Sequence, residues 1–201
     1  MSNVRQRHLG EPGYPGHVAQ RMGDDAPRDV FLLGDLELPH RVDLALICSV
    51  SCPGSVIIKT YDAIRSLREA GVVIAGGFHS PMERECLDYL LRGQQAVVLS
   101  PAFGIDWLQP GEAERRALEE DRLMVVSIAG SEVTKATRES ALLRNTFVAA
   151  LADAVFVPHA VPGGQAELMA RQAIARGQVV MTFDDQENAH LIDSGARPFR
   201  I

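Results

Sequence analysis

The residues best suited to holding an anion lie between Arg144 and Gly164. Arg144 and Asn145 stand on an apolar helical segment, a strand follows at 155–157, and Val161-Pro162-Gly163-Gly164 forms a turn. An arginine can hold a phosphate through paired hydrogen bonds, and glycine lets main-chain N–H groups approach it closely. We therefore expect this helix, strand and turn to form one wall of a nucleotide-phosphate pocket.

The elements that would position these residues alternate along the chain. Continuous apolar runs predict buried parallel strands at 42–50, 72–75, 96–99, 123–128, 154–157 and 179–183. Segments with helical spacing separate them, and a glycine follows several of these helices. The alternation predicts an α/β fold, a Rossmann-like three-layer sandwich with a mostly parallel central sheet. Residues 1–27 lack periodicity and are predicted to be a flexible N-terminal arm, and residues 28–201 a single domain.

In such a sheet the ligand binds beyond the carboxyl ends of the strands. Five predicted loops meet at that edge, and every one contains glycine. Small residues there let main-chain N–H groups reach a phosphate, and the positive end of each following helix adds to the attraction. The predicted phosphate-binding residues are Ser49, Gly54, Gly76, Gly77, Ser100, Arg144, Asn145, Gly163 and Gly164.

Composition limits the classes of function. The net charge of -6 and the pI of about 5.5 mean that any surface for nucleic acid is a local one. No apolar run is long enough for a membrane span, and no signal peptide is recognisable. Three cysteines, an odd number, favour a reducing cytoplasm over a disulfide framework. Cys48 and Cys52 lack a second Cys/His pair, so we expect no metal, and no cofactor is expected.

Three further side chains could take part in chemistry. Glu167 follows the glycine turn and could act as an acid or base if it were desolvated. We favour a simpler interpretation, a carboxylate stabilised at a helix N-terminus. His79 and His159 fall on the ligand edge, where each is either a ligand contact or, more commonly, an ordinary loop histidine.

Taken in order over residues 30–198, these motifs resemble the central domain of the DNA-processing protein DprA (Smf) family. Arg144-Asn145 runs into a strand that begins Ala152-Asp153-Ala154-Val155, and Gly195-Ala196 resembles the end of the family's closing element. The lead-in over 31–38, with Gly34-Asp35 as its turn, is similar to the family's strand and Gly-Asp turn before the sheet. The resemblance implies an extended Rossmann domain that binds single-stranded DNA, helps to load a recombinase, and forms a homodimer in the cytoplasm.

The chain departs from that family at two cationic positions. The family's Gly-Ser-Arg turn is Cys48-Ser49-Val50 here, and its small-Arg-Gly-Ile-Asp run is Phe78-His79-Ser80-Pro81-Met82. Each lost phosphate contact removes about one released counterion. The sequence therefore predicts weaker and less salt-dependent binding than the family pattern implies.

A second family, the LOG-type phosphoribohydrolases, leaves an alternative open. These enzymes cleave the base from nucleoside monophosphates, and their arginine and Pro-Gly-Gly turn are similar to Arg144 and Pro162-Gly163-Gly164. If the chain is such an enzyme, Arg144 and Glu167 are the candidate catalytic residues. The turn continues Gln165-Ala166-Glu167 instead of Gly-Thr-x-x-Glu, so we prefer binding without catalysis. A scaffold that works through subunit contacts alone is the third possibility.

Overall fold

Nine strands form one sheet in the computed structural model, which describes residues 4–34 and 42–200. The strands are β1 Arg5–His8, β2 Asp29–Leu33, β3 Leu44–Leu46, β4 Ile74–Gly76, β5 Val97–Leu99, β6 Leu123–Ser127, β7 Ala154–Phe156, β8 Val179–Thr182 and β9 Arg197–Pro198. The helices are α1 Gly16–Met22, α2 Gly54–Glu69, α3 Pro81–Leu91, α4 Glu112–Glu119, α5 Arg138–Leu151, α6 Gln165–Ala175 and α7 Ala189–Asp193.

The strand order explains where the chain can hold a ligand. It runs β1-β2-β6-β5-β4-β3-β7-β8-β9. β2 pairs antiparallel with β1 and β6, whereas all other neighbouring strands pair parallel. The chain winds in both directions from β3, which is typical of a doubly wound sheet. The predicted α/β Rossmann-like sandwich with a mostly parallel sheet is confirmed.

Apolar cores on both faces of the sheet account for the three layers. Side chains of a strand alternate between faces, so Ala45 of β3 lies in the same core as Phe147 of α5, whereas Leu44 and Leu46 lie in the opposite core with Ile64 of α2. The first core joins α1, α5 and α6, and the second joins α2, α3 and α4. These strands are buried on both sides, which is why they read as continuous apolar runs.

The prediction of a flexible arm over residues 1–27 is wrong for the part of this segment that the structure describes. β1 pairs with β2, and Tyr14 and Val18 are buried in the first core. The Arg21 guanidinium donates to the carbonyl oxygens of Ala150 and Ala152 at 2.9 and 2.6 Å. The segment is held by contacts with distant parts of the chain, which leave no local periodicity. The predicted boundary between 27 and 28 therefore falls inside one continuous sheet.

Other predicted elements differ mainly in length. The strand predicted at 42–50 is only β3 Leu44–Leu46, because residues 47–53 turn away to reach α2. The second half of the Gly34-Asp35 turn and the rest of the lead-in to residue 38 lie outside the described residues. Within 4–34 and 42–200, no helix combines the length and apolar character that crossing a membrane requires.

We expect Val18→Ala to destabilise the protein by about 2 kcal/mol, because the side chain of Val18 is fully buried and its loss leaves a cavity. Gln20→Ala, at an exposed position of the same helix, is the matched control and should be neutral. Urea unfolding measures both variants. Equal midpoints for the two variants and the parent protein would mean that α1 does not pack on the core.

Candidate functional site

The carboxyl ends of β4 and β5 border a cavity of about 720 Å³, here called the arginine cavity. Its wall includes Gly77, Phe78 and His79 after β4 and Pro101, Ala102 and Phe103 after β5. Arg84 of α3 and Arg138 and Arg144 of α5 complete its cationic side. The cavity thus lies on the edge where a parallel sheet offers a ligand site, displaced from β3 toward β4 and β5.

Arg144 is buried, with 4% of its surface exposed. Its Nη1 donates to the carbonyl oxygen of Ser100 at 2.7 Å, and its Nε donates to Oδ1 of Asn145 at 2.7 Å. Nη2 has no hydrogen-bond acceptor among the described residues. Burial lowers the pKa of the guanidinium, and the negative charge of Glu83 opposes that effect. An arginine stays charged under such a shift, so Arg144 offers a fixed cation with N–H donors left over.

Gly77 is glycine because of the guanidinium beside it. A Cβ atom at residue 77 would overlap Nη1 and Cζ of Arg144. Position 76 also requires glycine, since a Cβ atom there would crowd the ring of Phe78. Phe78 itself has a positive φ of 45°, which is rare for a bulky residue. The turn after β4 is therefore shaped by close packing around Arg144.

Glu83 supports the loops beside the arginine cavity, and we did not single it out from the sequence. Its carboxylate is buried and accepts three main-chain hydrogen bonds: Cys48 N at 2.9 Å on Oε1, and His79 N at 2.9 Å and Ser80 N at 3.1 Å on Oε2. It also closes the capping box of α3 with Ser80. The pattern Ser80-x-x-Glu83 is the sequence signal that could have identified it.

Gly163 and Gly164 border a second cavity of about 690 Å³ between α5 and α6. Oε2 of Glu167 accepts the N–H of Gly163 at 2.5 Å, and Oε1 accepts Nε and Nη2 of Arg171 at 3.0 and 2.7 Å. The Gly163 N–H, and then Arg171, lower the pKa of Glu167. Glu167 is thus a carboxylate stabilised at a helix N-terminus, as we favoured, and it competes with any phosphate for that turn.

No hydrogen bond joins the two residues of the predicted enzyme pair. Arg144 borders the arginine cavity and Glu167 borders the second cavity. A general acid or base works best with a pKa near the working pH, whereas that of Glu167 is held below its ordinary value. This geometry does not support a catalytic pair of Arg144 and Glu167.

The remaining predicted phosphate-binding residues either form hydrogen bonds within the protein or lie outside both cavities. Oγ of Ser49 accepts the N–H of Val161 at 2.9 Å and so joins the loops after β3 and β7. Ser100 is fully buried, and its carbonyl oxygen accepts a hydrogen bond from Arg144. The side-chain oxygen of Asn145 accepts a second hydrogen bond from Arg144. Gly54 is exposed at the start of α2. Neither cavity is bordered by Ser49, Gly54, Gly76, Ser100 or Asn145.

The two histidines of the ligand edge have different surroundings. His79 is exposed and borders the arginine cavity. His159 is buried, and its Nδ1 lies 3.2 Å from Oδ1 of Asn188. Of the two, only His79 is placed to contact a ligand in the arginine cavity.

The arginine cavity is a local basic site on an acidic chain. Arg84 and Arg138 are exposed, and neither forms an ion pair with any residue of 4–34 or 42–200. The carboxylates on the wall are Asp88 and Glu114, and Glu114 already accepts the N–H of Gly111 at 2.6 Å. Three arginines therefore face two carboxylates.

Comparison with known families agrees with this architecture. The family model described as DNA recombination-mediator protein A matches residues 6–199. The chain belongs to the DNA recombination-mediator protein A family. The matched range includes α1 and all of β1 except Arg5, a part of the chain that the sequence patterns alone had assigned to an arm. No curated protein sequence matches the chain.

Two solved structures of DNA processing protein A share the fold of this family member. The Streptococcus pneumoniae protein is 20% identical with a TM-score of 0.81, and the match covers 98% of this chain and 71% of that one. The Helicobacter pylori protein, whose structure describes a single-stranded DNA binding mode, is 19% identical with a TM-score of 0.78. That match covers 98% of this chain and 93% of the other.

We expect Gly77→Ala to destabilise the protein by about 1–3 kcal/mol, because the added methyl group must displace a buried guanidinium. Gly54→Ala is the matched control, since a Cβ atom there meets nothing within 4 Å. Urea unfolding compares the two. Equal stability would show that Arg144 moves aside without cost.

We expect Glu167→Gln to lower the free energy of unfolding at neutral pH. At acid pH the substitution should have no such effect. The folded-state pKa of Glu167 lies below the ordinary value of 4.5, so its charge stabilises the fold above that value. This stabilisation disappears as the pH falls through the lowered pKa. Urea midpoints from neutral pH to below 4 measure the gap between parent and variant. The exposed Glu112→Gln serves as control, and a gap independent of pH would contradict the assignment.

Proposed function

We propose that the chain binds single-stranded DNA, or a nucleotide, through its phosphates in the arginine cavity. The observation that carries the proposal is the buried Arg144 guanidinium, which lies against Gly77 and keeps Nη2 without an acceptor among the described residues. Arg84 and Arg138 border the same cavity without ion pairs. The single-stranded DNA binding mode described for the Helicobacter pylori protein supports the same ligand class.

Single-stranded DNA fits the cavity better than a mononucleotide does. A mononucleotide needs a tight cradle for one phosphate, commonly at a helix N-terminus. The N-termini of α3 and α6 already hold the carboxylates of Glu83 and Glu167. The arginines that remain stand on two helices around a cavity of about 720 Å³, a distribution that suits several phosphates in succession.

Hydrolysis of nucleoside monophosphates is not supported by a specific observation. Its two candidate residues, Arg144 and Glu167, border different cavities, and Glu167 is committed to Gly163 and Arg171. Family membership favours DNA processing or recombination instead. Incubation with the common monophosphates should therefore release no free base.

We also propose that the protein acts in the cytoplasm as a homo-oligomer and needs no cofactor for binding. Family membership and three free cysteines support this setting. Sedimentation velocity across a range of concentrations tests the assembly, with a dimer as the expected species. A monomer at every concentration would contradict it.

Arg138→Ala should weaken binding of labelled oligo-dT about tenfold at low salt, because it removes one charge-assisted contact. The slope of log affinity against log salt concentration should fall by about 0.7. Arg144→Ala should weaken binding at least as much. Fluorescence anisotropy over a salt series measures both quantities.

Arg65→Ala is the control, because Arg65 is an exposed arginine of α2 that does not border the cavity. It should leave affinity and salt slope close to those of the parent protein. Equal losses for Arg65→Ala and Arg138→Ala would indicate a diffuse surface effect. Absence of saturable binding to oligo-dT and to mononucleotides would refute the proposed function.

A further inference from the structure

The arginine cavity and the second cavity share part of their walls. Arg138 at the start of α5 and Gln165 at the start of α6 border both of them. Side chains that border two cavities stand at their junction, so the volumes of about 720 and 690 Å³ lie next to each other. A ligand in the arginine cavity therefore has a continuation between α5 and α6.

Helical spacing gives the second cavity two rows of side chains. One row is Arg138 and Leu142 on α5, four residues apart, and the other is Gln165, Leu168 and Arg171 on α6, at intervals of three. Residues with these spacings share one face of a helix. Each helix follows the carboxyl end of a parallel strand and leads back to the start of the next, so each row runs from the junction away from the ligand edge. With a rise of about 1.5 Å per residue, Arg171 lies about 9 Å farther along α6 than Gln165.

The second cavity offers apolar surface and little net charge. Leu168 has 45% of its surface exposed, and Leu142 is half-buried. The two carboxylates on the wall, Glu139 and Glu167, equal its two arginines in number. Glu167 also occupies the glycine turn, which disfavours a phosphate there. A nucleobase is uncharged and has a broad face that packs on apolar side chains, so this surface suits bases better than phosphates.

A different exit from the arginine cavity is less favourable for a polyanion. Asp88 borders both the arginine cavity and a third cavity of about 480 Å³ beside α3 and α4. The side chain at that junction is an anion, which repels phosphates, whereas Arg138 at the other junction attracts them. Arg122 of the third cavity already forms an ion pair with Glu120. Electrostatics therefore favours the path past Arg138.

We propose that single-stranded DNA continues from the arginine cavity past Arg138 into the second cavity, where its bases lie against Leu142 and Leu168. Arg138 holds the phosphate at the junction. Arg171 is placed to contact a later phosphate, because its Nη1 has no acceptor within 4–34 and 42–200. The amide of Gln165 adds a donor and an acceptor beside the junction. The inference rests on the proposed function and specifies the course and length of the ligand.

Oligo-dT of two lengths tests this path. Fluorescence anisotropy at low salt compares a strand of three nucleotides with one of twelve, each titrated with the full chain. We expect the parent protein to bind the longer strand at least about tenfold more tightly, because only that strand fills both cavities. Leu168→Glu should weaken binding of the longer strand about tenfold and leave the shorter one unchanged, because the new carboxylate lies only on the second part of the path. Arg171→Ala should weaken the longer strand several-fold and also spare the shorter one.

Control variants on the same helix separate the path from general charge effects. Arg176→Ala is matched to Arg171→Ala, because Arg176 is an exposed arginine at the end of α6 that borders neither cavity. Gln172→Glu is matched to Leu168→Glu, because it adds the same charge at an exposed position of α6 outside both cavities. Both controls should bind either strand as the parent protein does.

The outcomes distinguish this path from the proposed function. If Leu168→Glu and Arg171→Ala bind the longer strand as the parent does while Arg138→Ala binds it more weakly, the path is wrong and the proposed function stands. Equal losses for both strand lengths would also overturn the path. A larger loss in Arg92→Ala, at an exposed arginine of the third cavity, than in Arg171→Ala would place the strand beside α3 and α4 instead. No binding of either strand to the parent protein would refute the proposed function and this inference together.

Discussion

The buried carboxylate of Glu83 holds the ligand edge of the sheet in one arrangement. A buried charge is costly unless hydrogen bonds and an opposite charge compensate it. Glu83 receives three main-chain N–H groups from the loops after β3 and β4, and its charge favours the protonated form of Arg144. Arg144 in turn depends on Gly77 for space and on Ser100 for an acceptor. The cavity is the surface that these linked contacts leave open.

The protein uses the same physical device at a second helix. Glu167 occupies the N-terminus of α6 as Glu83 occupies that of α3. Both carboxylates accept hydrogen bonds from main-chain N–H groups at a helix N-terminus, where parallel α/β proteins commonly bind a phosphate. Under the proposed function, anion binding falls to the arginines around the cavity, and such a local site is compatible with a net charge of -6 and a role in DNA processing.

Several features of the fold and site could be predicted because local patterns encode them. The buried strands β3 to β8 are continuous apolar runs, and Gly71 and Gly177 follow helices with positive φ. The alternation of strands and helices then fixes a parallel sheet and the edge where a ligand binds. Arg144 and Gly77 were among the predicted ligands for this reason. Residues 5–22 were missed, because β1 and α1 are stabilised by β2 and α5 and carry no periodicity of their own.

By itself, the sequence determined the layers, the sheet direction and the edge that carries the candidate site. These follow from the spacing of apolar residues and from glycine and capping signals, which act over a few residues. Only the tertiary structure decided which predicted ligands remain available. Ser100 meets Arg144 across 44 positions, and Ser49 meets Val161 across 112. Whether a polar group is committed to the protein or left for a ligand depends on such distant neighbours, and spacing along the chain does not encode them.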